Sequence, residues 1–213
     1  MTETTKRNPK GKIIMDIDEF AQLYNCDKEI LSKFEFVLKK MLSKHSSLQL
    51  RQFRLYFPEG HKYSDENILF QEFLKKIYPR VNKNSFYLSI FWIRNQDFYR
   101  QNHSYRIIML TDIFYMSHYV DNMISFFRRI WTEVLEVEWR TKNIFYEDMP
   151  RNGLTISEHD PNKDTAIFNA MDLAAQMTTL CTKDAPEEIE RFGFNSNSIN
   201  MKKEYKPDKL LPC

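Results

Sequence analysis

Glycine is scarce in this chain, 4 residues of 213, while Phe and Tyr number 17 and 11. So little glycine among so many aromatics excludes long flexible linkers and low-complexity disorder, and points to packed globular structure. Cysteine is nearly as rare. Cys26, Cys181 and Cys213 are odd in number and far apart, with no CxxC or Cys/His finger spacing. A disulfide framework and a structural zinc site are excluded on those grounds, and a reducing cytoplasm is expected. Charge of one sign is also lacking. A formal +2 cannot by itself mark a nucleic-acid binder, so local clusters would have to carry such binding. No apolar run approaches the 18 or so residues of a membrane span, and "MTETTKRNPKGK" has no apolar core of a signal peptide.

What is present is periodic. Residues 1–12 read as a mobile arm. From Asp16, Ile17, Phe20, Leu23 and Tyr24 recur at helical spacing. A second helix follows Asp27 through Ile30, Leu31, Phe34, Val37, Leu38, Met41 and Leu42, with lysines toward its end, where the helix dipole favours cations. In "LQLRQFRLYFP", Phe53, Leu55 and Phe57 alternate with Arg54 and Tyr56, the pattern of a strand. "SDENILFQEFLKKIYP" predicts a helix with Ser64 as its cap, stopped by Pro79. "SFYLSIFWI", apolar on both faces, predicts a central strand, and "SYRIIML" the next one.

The longest helical stripe runs from Val120 to Leu135, "KNIFYEDM" and "GLTISEH" read as a hairpin turning at 150–153, and a last helix spans about 164–182. After Gly193 the sequence turns polar and reads as a poorly ordered tail, with 197–213 as a flexible C-terminal segment. The expected fold is therefore α+β: a helical extension over 13–46, then, over 47–196, a ferredoxin-like (RRM-like) antiparallel sheet with helices on one face.

Chemistry-bearing residues are sparse. His45, His61, His118 and His159 have no partner at ligand spacing, and Asp112, Asp121, Glu147 and Asp148 form no acid/base pair. Arg94, Arg100 and Arg106 on the strand–turn–strand, with Arg128 and Arg129 on the long helix, make a basic strip in which Tyr87, Tyr99 and Tyr105 are interleaved. Phosphate contacts and base stacking on such a strip suit single-stranded DNA. Phe86, Leu88, Ile90 and Trp92 form either a stacking platform or core.

Several segments in order, "RQFRLYFP", "YLSIFWIRNQ…HSYRIIMLTDIFY", "FFRRIWTEVL", "GLTISEHD" and "IFNAMDLAAQMTTLCTKD…RFGFNS", resemble the replication initiators of filamentous phages (inoviruses) and their YagK/YfjJ-type prophage relatives. The resemblance covers about 48–196 and includes Thr182-Lys183 followed by Arg191-Phe192-Gly193. It implies a fold like the His-hydrophobic-His (HUH) nucleases, in which two imidazoles at i and i+2 help hold a divalent ion and a helix tyrosine attacks phosphorus. It also adds Lys183 and Arg191 to the candidate nucleic-acid contacts.

The chain departs from that pattern where it matters. The positions of the imidazoles fall on Ser104 and Arg106; slipped by one residue they fall on His103 and Tyr105, and the nucleophile's position holds Gln176. Arg106 in the place of the metal charge could hold a phosphate directly.

Three functions follow. One is a phage or mobile-element protein that binds nucleic acid without cutting. Another is a nickase using Mg or Mn on a non-standard site, with His103 as metal or catalytic candidate and Tyr105, Tyr115 or Tyr119 as nucleophile. The third is a decayed initiator fold acting as a protein-binding inhibitor of a host system such as a defence complex. Outside the nickase no cofactor is expected, and the partner is nucleic acid or a host protein complex in the cytoplasm of a bacterial host, with no membrane.

Overall fold

A computed structural model describes residues 16–58, 67–83, 87–97, 102–112, 120–138, 144–147, 153–179 and 192–196. The expectations for the arm at 1–12, the tail at 197–213 and the Ser64 cap lie outside the described residues.

The order is α1 (Ile17–Tyr24), α2 (Lys28–Lys44), β1 (Ser47–Tyr56), α3 (Ile68–Lys83), β2 (Leu88–Asp97), β3 (Asn102–Asp112), α4 (Val120–Val134), β4 (Phe145–Glu147), β5 (Leu154–Ser157), α5 (Lys163–Thr179) and β6 (Phe192–Ser196). The sheet runs β4-β1-β3-β2-β6, with β5 also on β1, and every pairing is antiparallel. From β1 to β4 this is the general ferredoxin-like arrangement: strand, helix, two strands, helix, strand, ordered 4-1-3-2.

Local chemistry accounts for most of the elements. Asp27 caps α2, its carboxylate accepting from the Glu29 and Ile30 amides at 2.8 and 3.2 Å. The alternation in the strands divides their side chains between two cores. On one face Phe53, Leu55, Ile90, Trp92, Tyr105, Ile107 and Met109 meet α3 and α4 through Phe70, Phe73, Phe127 and Trp131. On the other, Leu48, Leu50, Phe91, Ile93, Ile108 and Leu110 meet the N-terminal helix pair and α5 through Phe34, Val37, Leu38, Ala170 and Ala174. The two ferredoxin-like helices share one face, as expected; the helices outside that unit cover much of the other. No helix among the described residues is long and apolar enough to cross a membrane.

Three expectations need correction. Pro79 does not stop α3, which continues to Lys83. Its missing N–H leaves the Lys75 carbonyl without a helical donor, and Lys75, Lys76, Pro79 and Arg80 are all exposed, so water can take that bond.

β4 and β5 are not a hairpin, because both pair with β1, end to end: Phe53 opposes Glu147 and Leu50 opposes Leu154. Between those pairs β1 has two residues, Arg51 and Gln52, while six residues, 148–153, separate Glu147 from Leu154 in the sequence. The insertion re-enters the edge through Gly153 at φ +62, where a Cβ would lie 2.6 Å from the Leu50 carbonyl.

The polar stretch from Gly193 is not tail but strand as far as Ser196. Phe192 and Phe194 join the core under α2 and α5, while the Trp92 indole lies against Gly193 on the other face and donates to Asn195 Oδ1 at 3.0 Å.

Candidate nucleic-acid interface

Among the described residues, the members of the basic strip expected from the sequence do not share one surface. Arg94 and Tyr105 are cross-strand partners on the α3/α4 face and are both buried. Their polar groups converge on Asn67, just before α3. The Tyr105 phenol donates to Asn67 Oδ1 at 2.8 Å, and the Arg94 guanidinium approaches the same oxygen at 3.4 Å. The Tyr105 ring stacks on Phe70 at 4.2 Å, with Phe57, Trp92 and Trp131 around it. A ring enclosed in this way offers no face to a base, and its hydroxyl no path to a phosphate.

Leu88, Ile90 and Trp92 are likewise core under these helices rather than a stacking platform. Arg129, exposed on α4, approaches Glu133 at 3.9 Å, and Lys76 and Arg80 of α3 reach the same carboxylate. Arg128 lies on that helix too, on the opposite side of the sheet from Arg106. Arg100, Tyr115, Tyr119, Lys183, Arg191 and the side chain of His103 lie outside the described residues.

Burial pushes the Tyr105 phenol up to about 12, against the opposing pull of the Arg94 guanidinium. A phenol whose pKa is raised on folding contributes stability that is complete below the unfolded value near 10 and is lost as pH rises through 12. Wild-type protein is therefore expected to lose about 1 kcal/mol through this group by pH 11. Tyr105→Phe should flatten that alkaline limb, as followed by urea midpoints between pH 8 and 11; an unchanged slope would place the titration elsewhere.

The other face carries a different group. Because strand side chains alternate, Gln52, Arg54 and Tyr56 of β1 and Ser104 and Arg106 of β3 all project on the α2/α5 side. Arg54 is directly opposite Arg106, and Tyr56 opposite Ser104. On its other side Arg54 is opposite Tyr146 of β4, which is 61% exposed. Arg106 is in turn opposite Ile93, and Ile93 opposite Phe192.

One transverse row thus crosses five strands in register: Tyr146, Arg54, Arg106, Ile93, Phe192. Its Ile93–Phe192 half is in the apolar core, with Lys33 of α2 over the Phe192 ring at 4.8 Å. Its Tyr146–Arg54–Arg106 half is only partly covered, and Arg54 reaches the Tyr56 hydroxyl at 3.4 Å. Two guanidinium-bearing positions side by side on neighbouring strands suit an anion.

Arg54, Tyr56 and Tyr146 are the residues that sequence reading missed as a group. The signal for Arg54 and Tyr56 was their alternation with Phe53, Leu55 and Phe57; nothing local placed Tyr146 beside them. The positions matched to the two imidazoles, Ser104 and Arg106, do share this face. A hydroxyl and a guanidinium do not fit a divalent ion, however, since a guanidinium donates no lone pair and repels the cation. Among the described residues no group of three His, Cys, Asp or Glu side chains could hold a metal ion.

Gln176, which the resemblance matches to a nucleophile, donates to Asp172 at 3.0 Å, and the Tyr24 phenol of α1 donates to the other oxygen of that carboxylate. His45, which closes α2, pairs with Asp112 at the end of β3 at 2.9 Å and packs on Tyr87 at 4.4 Å between ring centres. Both clusters tie helices to strands or to one another.

No family model, curated protein or solved structure matches this chain.

Proposed function

We propose that the chain is a phage or mobile-element protein related to the filamentous-phage replication initiators, which binds nucleic acid in the cytoplasm of a bacterial host and does not cut it. On this reading its ferredoxin-like unit is of the HUH-nuclease kind. The observation that carries the proposal is the Arg54–Arg106 cross-strand pair on a partly open sheet face. Where an initiator would set imidazoles for a metal, this chain sets a hydroxyl and a cation, and at the nucleophile's position an amide. Such a set neutralises phosphate but supplies neither a metal-held charge nor an attacking oxygen.

Fluorescence anisotropy with a labelled oligonucleotide across a salt series tests this. Each phosphate contact removed should lower the slope of log affinity against log salt by nearly one, so Arg54→Ala and Arg106→Ala should each weaken binding and flatten the slope. On a denaturing gel with manganese the DNA should stay intact. No binding at low salt would sink the proposal in favour of a protein partner; a covalent protein–DNA band would restore the nickase.

A further inference from the structure

We infer that the outer seam between α3 and α4 docks an acidic segment of a partner protein, whose carboxylates pair with Lys76 of α3 and Arg129 of α4 and whose apolar side chains cover Phe126. The seam stands apart from the nucleic-acid reading, because these two helices cover the opposite face of the sheet from Arg54 and Arg106.

Charge along the seam is unbalanced. The Glu133 carboxylate is approached by Lys76 at 3.7 Å, by Arg80 at 4.0 Å and by Arg129 at 3.9 Å, all longer than a hydrogen bond. The three cations are 43, 47 and 59% exposed. Even with Arg80 left aside, two cations share one carboxylate. Exposed ions at such separations are weakly held, so they turn to a second carboxylate at little cost.

Two guanidiniums also lie over the half-buried Phe126 ring, Arg80 at 5.6 Å and Arg129 at 6.0 Å from its centre. Ring contact restricts these long side chains, so less freedom is lost when their N–H forks meet a carboxylate. Pro79 favours a protein as the occupant. It sits exposed inside α3 and leaves the Lys75 carbonyl without an α-helical donor, within one turn of Lys76 and Arg80. A polypeptide brings N–H donors as well as carboxylates, whereas a phosphodiester backbone brings acceptors alone. A base would have to compete with the guanidiniums for the Phe126 ring.

The test uses the full chain at low salt, where exposed charges are least screened. Its probes are two labelled peptides of equal length, one of Glu and Leu and one of Gln and Leu, with oligodeoxythymidine as a third ligand. Wild type should bind the Glu/Leu peptide about tenfold more tightly than the Gln/Leu peptide. The double variant Lys76→Glu/Arg129→Glu should lose that preference and keep its fold, as circular dichroism reports, because both side chains are exposed. Glu133→Gln, which removes the carboxylate that the cations now share, should tighten the acidic peptide by about threefold. Wild type without a preference for the acidic peptide, a preference that survives the double reversal, or no tightening in Glu133→Gln overturns the inference. So does oligodeoxythymidine that displaces the peptide and is itself weakened by the double reversal, since the seam would then be a nucleic-acid site. Oligodeoxythymidine binding that is weakened by Arg54→Ala and untouched by the double reversal upholds two separate surfaces.

Discussion

Tyr105→Ala is expected to lower the unfolding free energy by about 3–5 kcal/mol, the range for emptying an aromatic site in a packed core. The ring is 2% exposed and touches Phe57, Phe70, Trp92 and Trp131, rings contributed by the β1 end, α3, β2 and α4. No single neighbour can collapse into the gap, because each is held by its own element. Removal also leaves Asn67 without the phenol that donates to it at 2.8 Å. Tyr105→Phe separates these contributions, since it keeps the packing and loses only the hydrogen bond, for about 1 kcal/mol. Urea unfolding of both variants checks the division. A loss under 1 kcal/mol for the alanine variant would mean that the cluster is not packed as described.

Gly193→Val should detach β6 from the sheet, at a cost of about 1–3 kcal/mol for overpacking. A Cβ at this position would lie 2.5 Å from Trp92 Cζ2 and 2.7 Å from its indole nitrogen. The indole has nowhere to go, as Phe70 packs against it at 4.9 Å. The strand must therefore move, and with it go the Trp92–Asn195 hydrogen bond and the contact between the Ser89 and Ser196 hydroxyls. Faster amide exchange along β2 and a red-shifted tryptophan emission would report the release. Wild-type exchange in the variant would show that the indole yields instead.

The parts of this fold legible in the sequence are those set by neighbours in the chain. The stripe from Ile30 to Met41, the Asp27 cap and the alternation at Phe53, Leu55 and Phe57 are local patterns, and the elements form where they predict. The double-sided β2 also followed from composition, with Ile90 and Trp92 in one core and Phe91 and Ile93 in the other.

What was not legible depends on pairing at a distance. β4 and β5 look like a hairpin because turn residues lie between them, yet each finds a better edge on β1 than on the other. The "FGFNS" of β6 is too short and polar to stand out, and only the indole of Trp92, far back in the chain, gives its glycine a purpose. The candidate site has the same character. Arg106 was read from its place on the strand, but its meeting with Arg54, and that of Arg54 with Tyr146, is a matter of register. Tyr105, one residue away from Arg106, went to the opposite face and into the core.

The two cores also differ in when they can close. The one beneath α3 and α4 draws its buried residues from Phe53 to Ile144, a contiguous stretch in the middle of the chain. The one beneath α2 and α5 needs both ends: Ile17 and Phe20 at one, Met177 at the other, with Phe192 and Phe194 packed against it. The Tyr24–Asp172 bond alone spans 148 residues. On a ribosome the first core can assemble while α5 and β6 are still unmade, and during that interval the apolar stripe of α2 lacks its full cover. Synthesis thus passes through a half-clad sheet until α5 and β6 emerge to complete the cover that α2 began.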